Sequence, residues 1–264
     1  MVPPPEEETE TLYVLSLGNS YAMDAHAYLS RLAEHEGKSI FTVNLYYSGC
    51  SLNQHYSFWK NNEAAYQYEE NGKINWNSHV SLMDVLPTRK WDVITLQESS
   101  YASCGANGWD RDILREFLTL FAEEQPQARV MLHQTWAYAD SYSAHNEKTG
   151  GSMQAMWTQI EHYTSLAAKD TGLELIPCGH AMFHAQQALN GGGYTVSSIQ
   201  RDGSHAEEAW GRYMLALIWY SAITGEKPSN TFDGFVSWFI EDEPTREMIY
   251  DCAMNAMKTY YPTW

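Results

Sequence analysis

The chain has 264 residues, with 16 Lys and Arg against 33 Asp and Glu, a formal net charge of −17. So acidic a surface repels nucleic acid and anionic membrane, and it favours a neutral or cationic substrate over a polyanionic one. No run of 18 apolar residues is present, so no transmembrane helix is expected, and the length suits one large α/β domain.

Residues 1–10 are rich in Pro and Glu and offer nothing to pack. They read as a disordered tether, with 11–264 as a single domain. Such a tether suits an exported protein, periplasmic or held at the cell surface by a lipid anchor; a cytosolic chain with a ragged start is the alternative. Residues 12–17 are a continuous apolar run and read as a first strand, followed by a helix over 23–37 that Gly37 ends. Further strands are expected over 39–47, 91–96, 129–133 and 173–177. Helices are expected over 111–124, 152–170, 180–189, 206–224 and 245–257. Short strands alternating with helices imply a parallel sheet covered on both faces. Residues 54–88 are polar, rich in Asn, Tyr and Trp and without a clear period, and are expected to form a lid or substrate rim. Residues 137–151 read as a second insertion. Ser20, Gly49, Gln97 and Gln134 each follow a strand, which places all four on one edge of the sheet, where open α/β sheets carry their sites.

Two segments supply chemistry. Gly18-Asn19-Ser20 sets a serine on a sharp turn after the first strand, and Asp202-Gly203-Ser204-His205 sets a carboxylate three residues from an imidazole. Each alone is an ordinary turn or helix cap. Together, in the order Ser, Asp, His, they are the parts of a serine hydrolase. A neutral hydroxyl needs a base, and the base needs an orienting group. His205, opening the 206–224 helix, would take the Ser20 proton, and Asp202 would hold His205. The Ser20 N–H, the Gly49 N–H and the Gln97 side-chain amide are candidate oxyanion donors.

Leu17-Gly18-Asn19-Ser20 resembles block I of the SGNH/GDSL hydrolases, with Asn for the usual Asp. Ser48-Gly49-Cys50 resembles the block II glycine, and Asp202-Gly203-Ser204-His205 matches the block V DxxH. The resemblance spans nearly the whole chain after the tether. It implies a flavodoxin-like, three-layer α/β/α sandwich around a five-stranded parallel sheet. It also implies an esterase or lipase, many such proteins being carbohydrate deacetylases. Block III departs from the family: Leu96-Gln97-Glu98-Ser99 stands where the family has G-x-N-D. That segment is similar to the Gln-Gly-Glu-Ser pattern of sialate- and xylan-acetylesterase-like branches, and the chain also resembles uncharacterised bacterial SGNH-like proteins.

Other residues carry a functional and a structural reading side by side. Glu98 would contact a sugar hydroxyl or anchor a loop. Gln134 and Trp136 would line the pocket or pack its edge. His180 and His184, four apart on a helix, share a face but lack an evident third metal ligand. Arg201 would meet an acidic sugar group or form a surface salt bridge. Cys50 and Cys104 fall in loops that could be neighbours, so a bridge between them is weighed against free thiols, and no CxxC zinc pair occurs. The 10 Trp and 18 Tyr suit sugar stacking as well as core filling.

The expectation is an exported serine esterase that removes acetyl groups from a carbohydrate and needs no metal or organic cofactor. Its partner would be a small-molecule or oligosaccharide ester. The alternatives are a non-catalytic carbohydrate-binding protein on the same fold, or an esterase or lipase acting on small or lipid esters.

Overall fold

The structure is a computed structural model describing residues 10–236 and 241–264. The expected tether lies outside the described residues except for Glu10.

In chain order the elements are β1 (Thr11–Gly18), α1 (Ser20–His35), β2 (Ser39–Tyr46), α2 (Leu52–Lys60), β3 (Tyr66–Glu70), β4 (Lys73–Val80), α3 (Leu82–Val85) and β5 (Val93–Gln97). They continue with α4 (Ser100–Ser103), α5 (Arg111–Glu124), β6 (Arg129–His133), α6 (Met153–Thr171), β7 (Glu174–Ile176), α7 (Cys178–Asn190), α8 (Trp210–Thr224) and α9 (Glu243–Tyr260). One sheet runs β4-β3-β2-β1-β5-β6-β7. The pairs β2–β1, β1–β5, β5–β6 and β6–β7 are parallel. These are the five strands expected from the sequence, but the sheet has seven.

The two extra strands come from the segment expected to be a lid. Residues 52–60 form a helix started by a capping box, with Ser51 and Gln54 bonded reciprocally. Next, β3 and β4 form a hairpin that adds antiparallel to β2. Its two-residue loop is Asn71-Gly72, both at positive φ (47° and 72°), as a type I′ turn requires. This region therefore lengthens the sheet.

In the parallel part, chain order reverses between β1 and β5, so the crevice outside their carboxyl ends is the topological switch point. One side of the sheet is covered by α1, α7, α8 and α9, the other by α2, α5 and α6. α1 has a simple sequence logic. Tyr21, Ala25, Tyr28, Leu29 and Leu32 recur at helical spacing and are buried, and Gly37 in the left-handed region (φ 71°) stops it. α8 is apolar all round, and thirteen of its fifteen residues are buried, as a central helix must be. It starts at Trp210 and not at residue 206. The Glu207 carboxylate accepts from the N–H groups of Ala209, Trp210 and Gly211 and so caps the helix there.

Candidate active site

β1 ends at Gly18, where there is no room for a side chain: a Cβ would lie 2.5 Å from Ala22 Cβ. Asn19 then caps α1, its Oδ1 accepting from Tyr21 N–H at 2.9 Å. Ser20 is thus the first residue of a sixteen-residue helix, where backbone N–H groups lack intrahelical acceptors. Asn19 also donates to Cys50 O at 3.1 Å, tying the Ser20 turn to the Gly49 turn. In that second turn Cys50 N–H donates to Tyr47 O, and Gly49 takes φ 62°.

His205 Nε2 lies 2.8 Å from Ser20 Oγ, and His205 Nδ1 lies 2.7 Å from Asp202 Oδ2. The three side chains, distant in sequence, form one continuous hydrogen-bonded line. The other Asp202 oxygen accepts from Ser204 N–H (2.9 Å), Ser204 Oγ–H (3.1 Å) and His205 N–H (2.8 Å). Burial by itself would raise the Asp202 pKa. The hydrogen bonds from the His205 backbone and ring and from Ser204 outweigh it and hold the carboxyl well below the usual carboxylate range.

Loop packing fixes this turn. Gly203 sits at φ 85°, and a Cβ there would meet the Tyr142 ring at 3.0 Å. Gly203 O accepts from Ala139 N–H. Trp136 donates its Nε1–H to Ser204 O at 2.7 Å and stacks on Tyr21, with centroids 4.0 Å apart. Tyr21 in turn meets the His205 ring edge-on at 5.9 Å.

Around these groups lies a cavity of about 190 Å³. It is lined by the turn residues Asn19, Ser20, Ser48, Gly49, Ser99 and Ser100 and by Tyr21, Tyr138, Tyr142, Ser204 and His205. The expected second insertion, 137–151, thus supplies two lining tyrosines. Burial pushes the Tyr21 hydroxyl pKa well up and that of Tyr138 to about 12, so both are neutral O–H groups at physiological pH. Neither lysine nor arginine lines the cavity.

Several expected site residues lie elsewhere. Gln97 is 1% exposed and does not line the cavity. Its amide donates to Asn19 Oδ1 and its Oε1 pairs with His133 Nδ1 at 3.2 Å, so it braces the Ser20 turn from below instead of facing an oxyanion. Glu98 is equally buried and accepts from Leu52 N–H (3.2 Å) and Ser99 N–H (2.6 Å). It is the loop anchor and not a sugar contact, and burial raises its pKa to about 8. Gln134 is fully buried, accepting from His180 N–H and donating to Tyr260 Oη. Trp136 is buried behind Tyr21 and supports the pocket without lining it. Cys50 and Cys104 are free and buried, so the bridge is absent. His180 and His184 lie side by side, yet no group of three or more His, Cys, Asp or Glu among the described residues is placed to hold a metal ion. Arg201 is bound to the buried Asp24 and is no loose surface cation.

Sequence reasoning missed Tyr138, Tyr142, Ser99 and Ser100 in the lining, and Asp24 altogether. Tyr138 and Tyr142 lie in an insertion without periodicity. Ser99 and Ser100 follow Glu98, and their position just after a strand was the available signal.

The model of the family described as a domain of unknown function, DUF4886, matches residues 13–234. The chain belongs to the DUF4886 family. A crystal structure of a DUF4886 family protein from Bacteroides uniformis superimposes with a TM-score of 0.82 at 28% identity, covering 97% of both chains. An acetylxylan esterase from Geobacillus stearothermophilus gives 0.53 at 14% identity, covering 88% of this chain and all of the other. A lipase/acylhydrolase from Enterococcus faecalis gives 0.51 at 13%, covering 83% and 98%. No curated protein matches in sequence. This DUF4886 chain therefore has the SGNH/GDSL hydrolase fold, with the sheet extended to seven strands.

Proposed function

We propose that this DUF4886 protein is a serine esterase that removes short acyl groups, acetyl above all, from a carbohydrate or similar neutral alcohol. The observation that carries this reading is the unbroken Ser20–His205–Asp202 line, at 2.8 and 2.7 Å. Ser20 attacks the ester carbonyl while His205 Nε2 takes its proton. Asp202, held as a carboxylate, keeps Nδ1 protonated and stabilises the imidazolium. The proton then passes to the leaving alkoxide, and water repeats the cycle on the acyl-enzyme. The oxyanion is held by two backbone donors, the N–H of Ser20 at the start of α1 and the N–H of Gly49. Each such donor contributes about 3–4 kcal/mol to the barrier reduction.

Pocket size and chemistry support the substrate class. About 190 Å³ is well under the roughly 300–1,000 Å³ of sites enclosing a drug-sized ligand, which favours a small acyl group over a long chain. The lining is hydroxyl-rich and lacks a cation, which suits a polyol over a phosphorylated or carboxylated alcohol. The resemblance of Gln97-Glu98-Ser99 to acetylesterase branches points the same way.

The test is hydrolysis of a p-nitrophenyl ester series together with fluorophosphonate labelling. Activity should be highest on acetate and fall with chain length. Ser20→Ala and His205→Ala should each lower kcat by about 10⁴-fold or more, and Ser20→Ala should abolish labelling. Unchanged rates in both variants would refute the assignment. Equal activity on long-chain esters would refute the short-acyl part.

A further inference from the structure

Asp24 lies one helical turn past Ser20 on α1, and its side chain is fully buried. Residues four apart stack on one side of a helix, about 6 Å apart along its axis, so α1 presents Ser20 and Asp24 together. The segment carrying the acid and base docks across both. Asp24 Oδ1 accepts from Arg201 Nη1 at 3.0 Å and from Arg212 Nε at 2.9 Å. Its Oδ2 accepts from Arg201 Nη1 at 3.1 Å and from the backbone N–H of Ala206 at 3.0 Å. Arg201 closes the loop on itself, donating from Nη1 to Ala206 O and from its backbone N–H to His205 O at 3.0 Å. One turn further along α1, Tyr28 Oη donates to Glu208 O at 2.7 Å.

We propose that Asp24 is a positioning residue: its buried carboxylate, gripped by Arg201, Arg212 and the Ala206 N–H, sets the distance of His205 from Ser20. The inference rests on the hydrolase reading of that same site. His205 belongs to no helix or strand, and the backbone on its carboxyl side is fastened directly to the helix that carries Ser20. One rigid element therefore references both reacting groups. Two arginines and a backbone N–H on one carboxylate fill its acceptor positions, and hydrogen bonds between charged groups are the strong ones. Misplacing a reacting group by about 1 Å can cost 10²-fold in rate, which is the lever such a clamp works on.

The experiment uses the full chain and the variants Asp24→Asn and Arg201→Gln. It reads kcat and KM on p-nitrophenyl acetate, the fluorophosphonate labelling rate, and the strongly deshielded His205 Nδ1–H proton resonance. The expected result is a fall of about tenfold or more in kcat and labelling, with KM within about twofold and a weakened Nδ1–H resonance. A folded variant that loses only thermal stability, keeping kcat, labelling and the resonance, overturns the proposal. If Asp24→Asn does not fold, Arg201→Gln, whose side chain is partly exposed, decides alone. If the wild type neither labels nor hydrolyses, the hydrolase reading has failed. The resonance then still decides the positioning role: its loss in either variant supports it, and its retention refutes it.

Discussion

The two faces of the central sheet are built from the same strands and are chemically unlike. On the side of α2, α5 and α6 are Leu15 and Leu17 of β1, Val43 and Leu45 of β2, Ile94 and Leu96 of β5, Leu132 of β6 and Leu175 of β7, all buried hydrocarbon. The opposite face, under α1 and α8, begins apolar with Val14, Ile40, Val93 and Met131. Towards the carboxyl ends it turns polar, with Ser16, Asn44, Thr95, Gln97 and His133, each 1% exposed or less. His26 from α1 and Glu69 from β3 join this layer. Burying polar groups costs free energy unless they are paired, and most of these are. Thr95 donates to Ser16, Ser16 pairs with His26, Asn44 donates to Glu69, and Gln97 joins His133 to Asn19. The hydrocarbon face holds the fold, whereas the polar face ends directly under the Ser20 turn and holds its geometry.

Cutting into the hydrocarbon face should give the largest loss of stability with the smallest loss of function. Leu15→Ala removes a fully buried side chain from the strand that delivers Ser20. Chemical denaturation should show about 3–5 kcal/mol of destabilisation, with kcat of the surviving folded protein near wild type. An equal loss of kcat would mean that the two faces are not separable.

The polar face should also set how stability varies with pH. Burial lowers His133 to about 3, aided by its neighbour His26, and lowers His26 to about 3. Both imidazoles stay neutral in the fold but gain a proton on unfolding below about pH 6.5, so their stabilisation is lost as pH falls. Glu69 acts in the opposite sense. Burial raises it to about 7, so its stabilisation is present at low pH and lost as pH rises through that value. For these three groups, stability should therefore fall by about one proton's worth, about 1.4 kcal/mol per pH unit, from pH 6.5 down to about 4.5, where two histidines oppose one glutamate, and more steeply below, where the glutamate no longer opposes them. His133→Leu should flatten the acid slope by one proton, about 1.4 kcal/mol per pH unit. Denaturation midpoints at pH 6, 5 and 4 measure it, and an unchanged slope would remove His133 from the account.

Gln97 is where the polar face meets the site. Gln97→Leu leaves Asn19 Oδ1 and His133 Nδ1 each short of a buried partner, and should cost about 1–3 kcal/mol in stability. If the Ser20 and Gly49 N–H groups hold the oxyanion as proposed, kcat should fall about tenfold or less. A fall of 10²–10³ at unchanged stability is the signature of a lost oxyanion donor, and would restore the role its sequence position suggests.

The same contrast explains what the sequence made legible. The hydrocarbon face was plain, because Leu, Val and Ile at every second position locate β1, β2, β5, β6 and β7. The order Ser20, Asp202, His205 named three side chains that the fold brings into hydrogen-bond contact: Ser20 follows β1 at the carboxyl edge of the sheet, while Asp202 and His205 reach it from a loop. The polar face was not legible as a face. Coverage of both faces was expected, but nothing in the strands announces that Ser16, Thr95 and Gln97 find their partners in one another's layer and in His26, His133 and Asn19. The β3–β4 hairpin was legible and missed: Asn71-Gly72 between Tyr66–Glu70 and Lys73–Val80 is a strong hairpin signal, hidden by the polar composition around it. Asp24 could not be found from sequence, because its partners lie 177 to 188 residues away.

The smallest expected effect lies deepest. Thr95 Oγ1 donates to Ser16 Oγ at 2.8 Å, and Ser16 Oγ lies 3.1 Å from His26 Nε2, all within the layer and away from the cavity. Thr95→Val keeps the side-chain shape and deletes one donor. Ser16 retains its own O–H to give to His26 Nε2, and only an acceptor position on Ser16 is left empty. An unfilled hydroxyl acceptor is a mild fault beside an unpaired donor or charge, so the cost should be about 1 kcal/mol in urea denaturation, with kcat and KM unchanged. Thr95 stands two residues before Gln97 on the same face of the same strand. A kcat loss in Thr95→Val as large as that in Gln97→Leu would mean that the polar layer acts on Ser20 as one unit. Silence in Thr95→Val beside a loss in Gln97→Leu would confine the influence to the residues that touch Asn19.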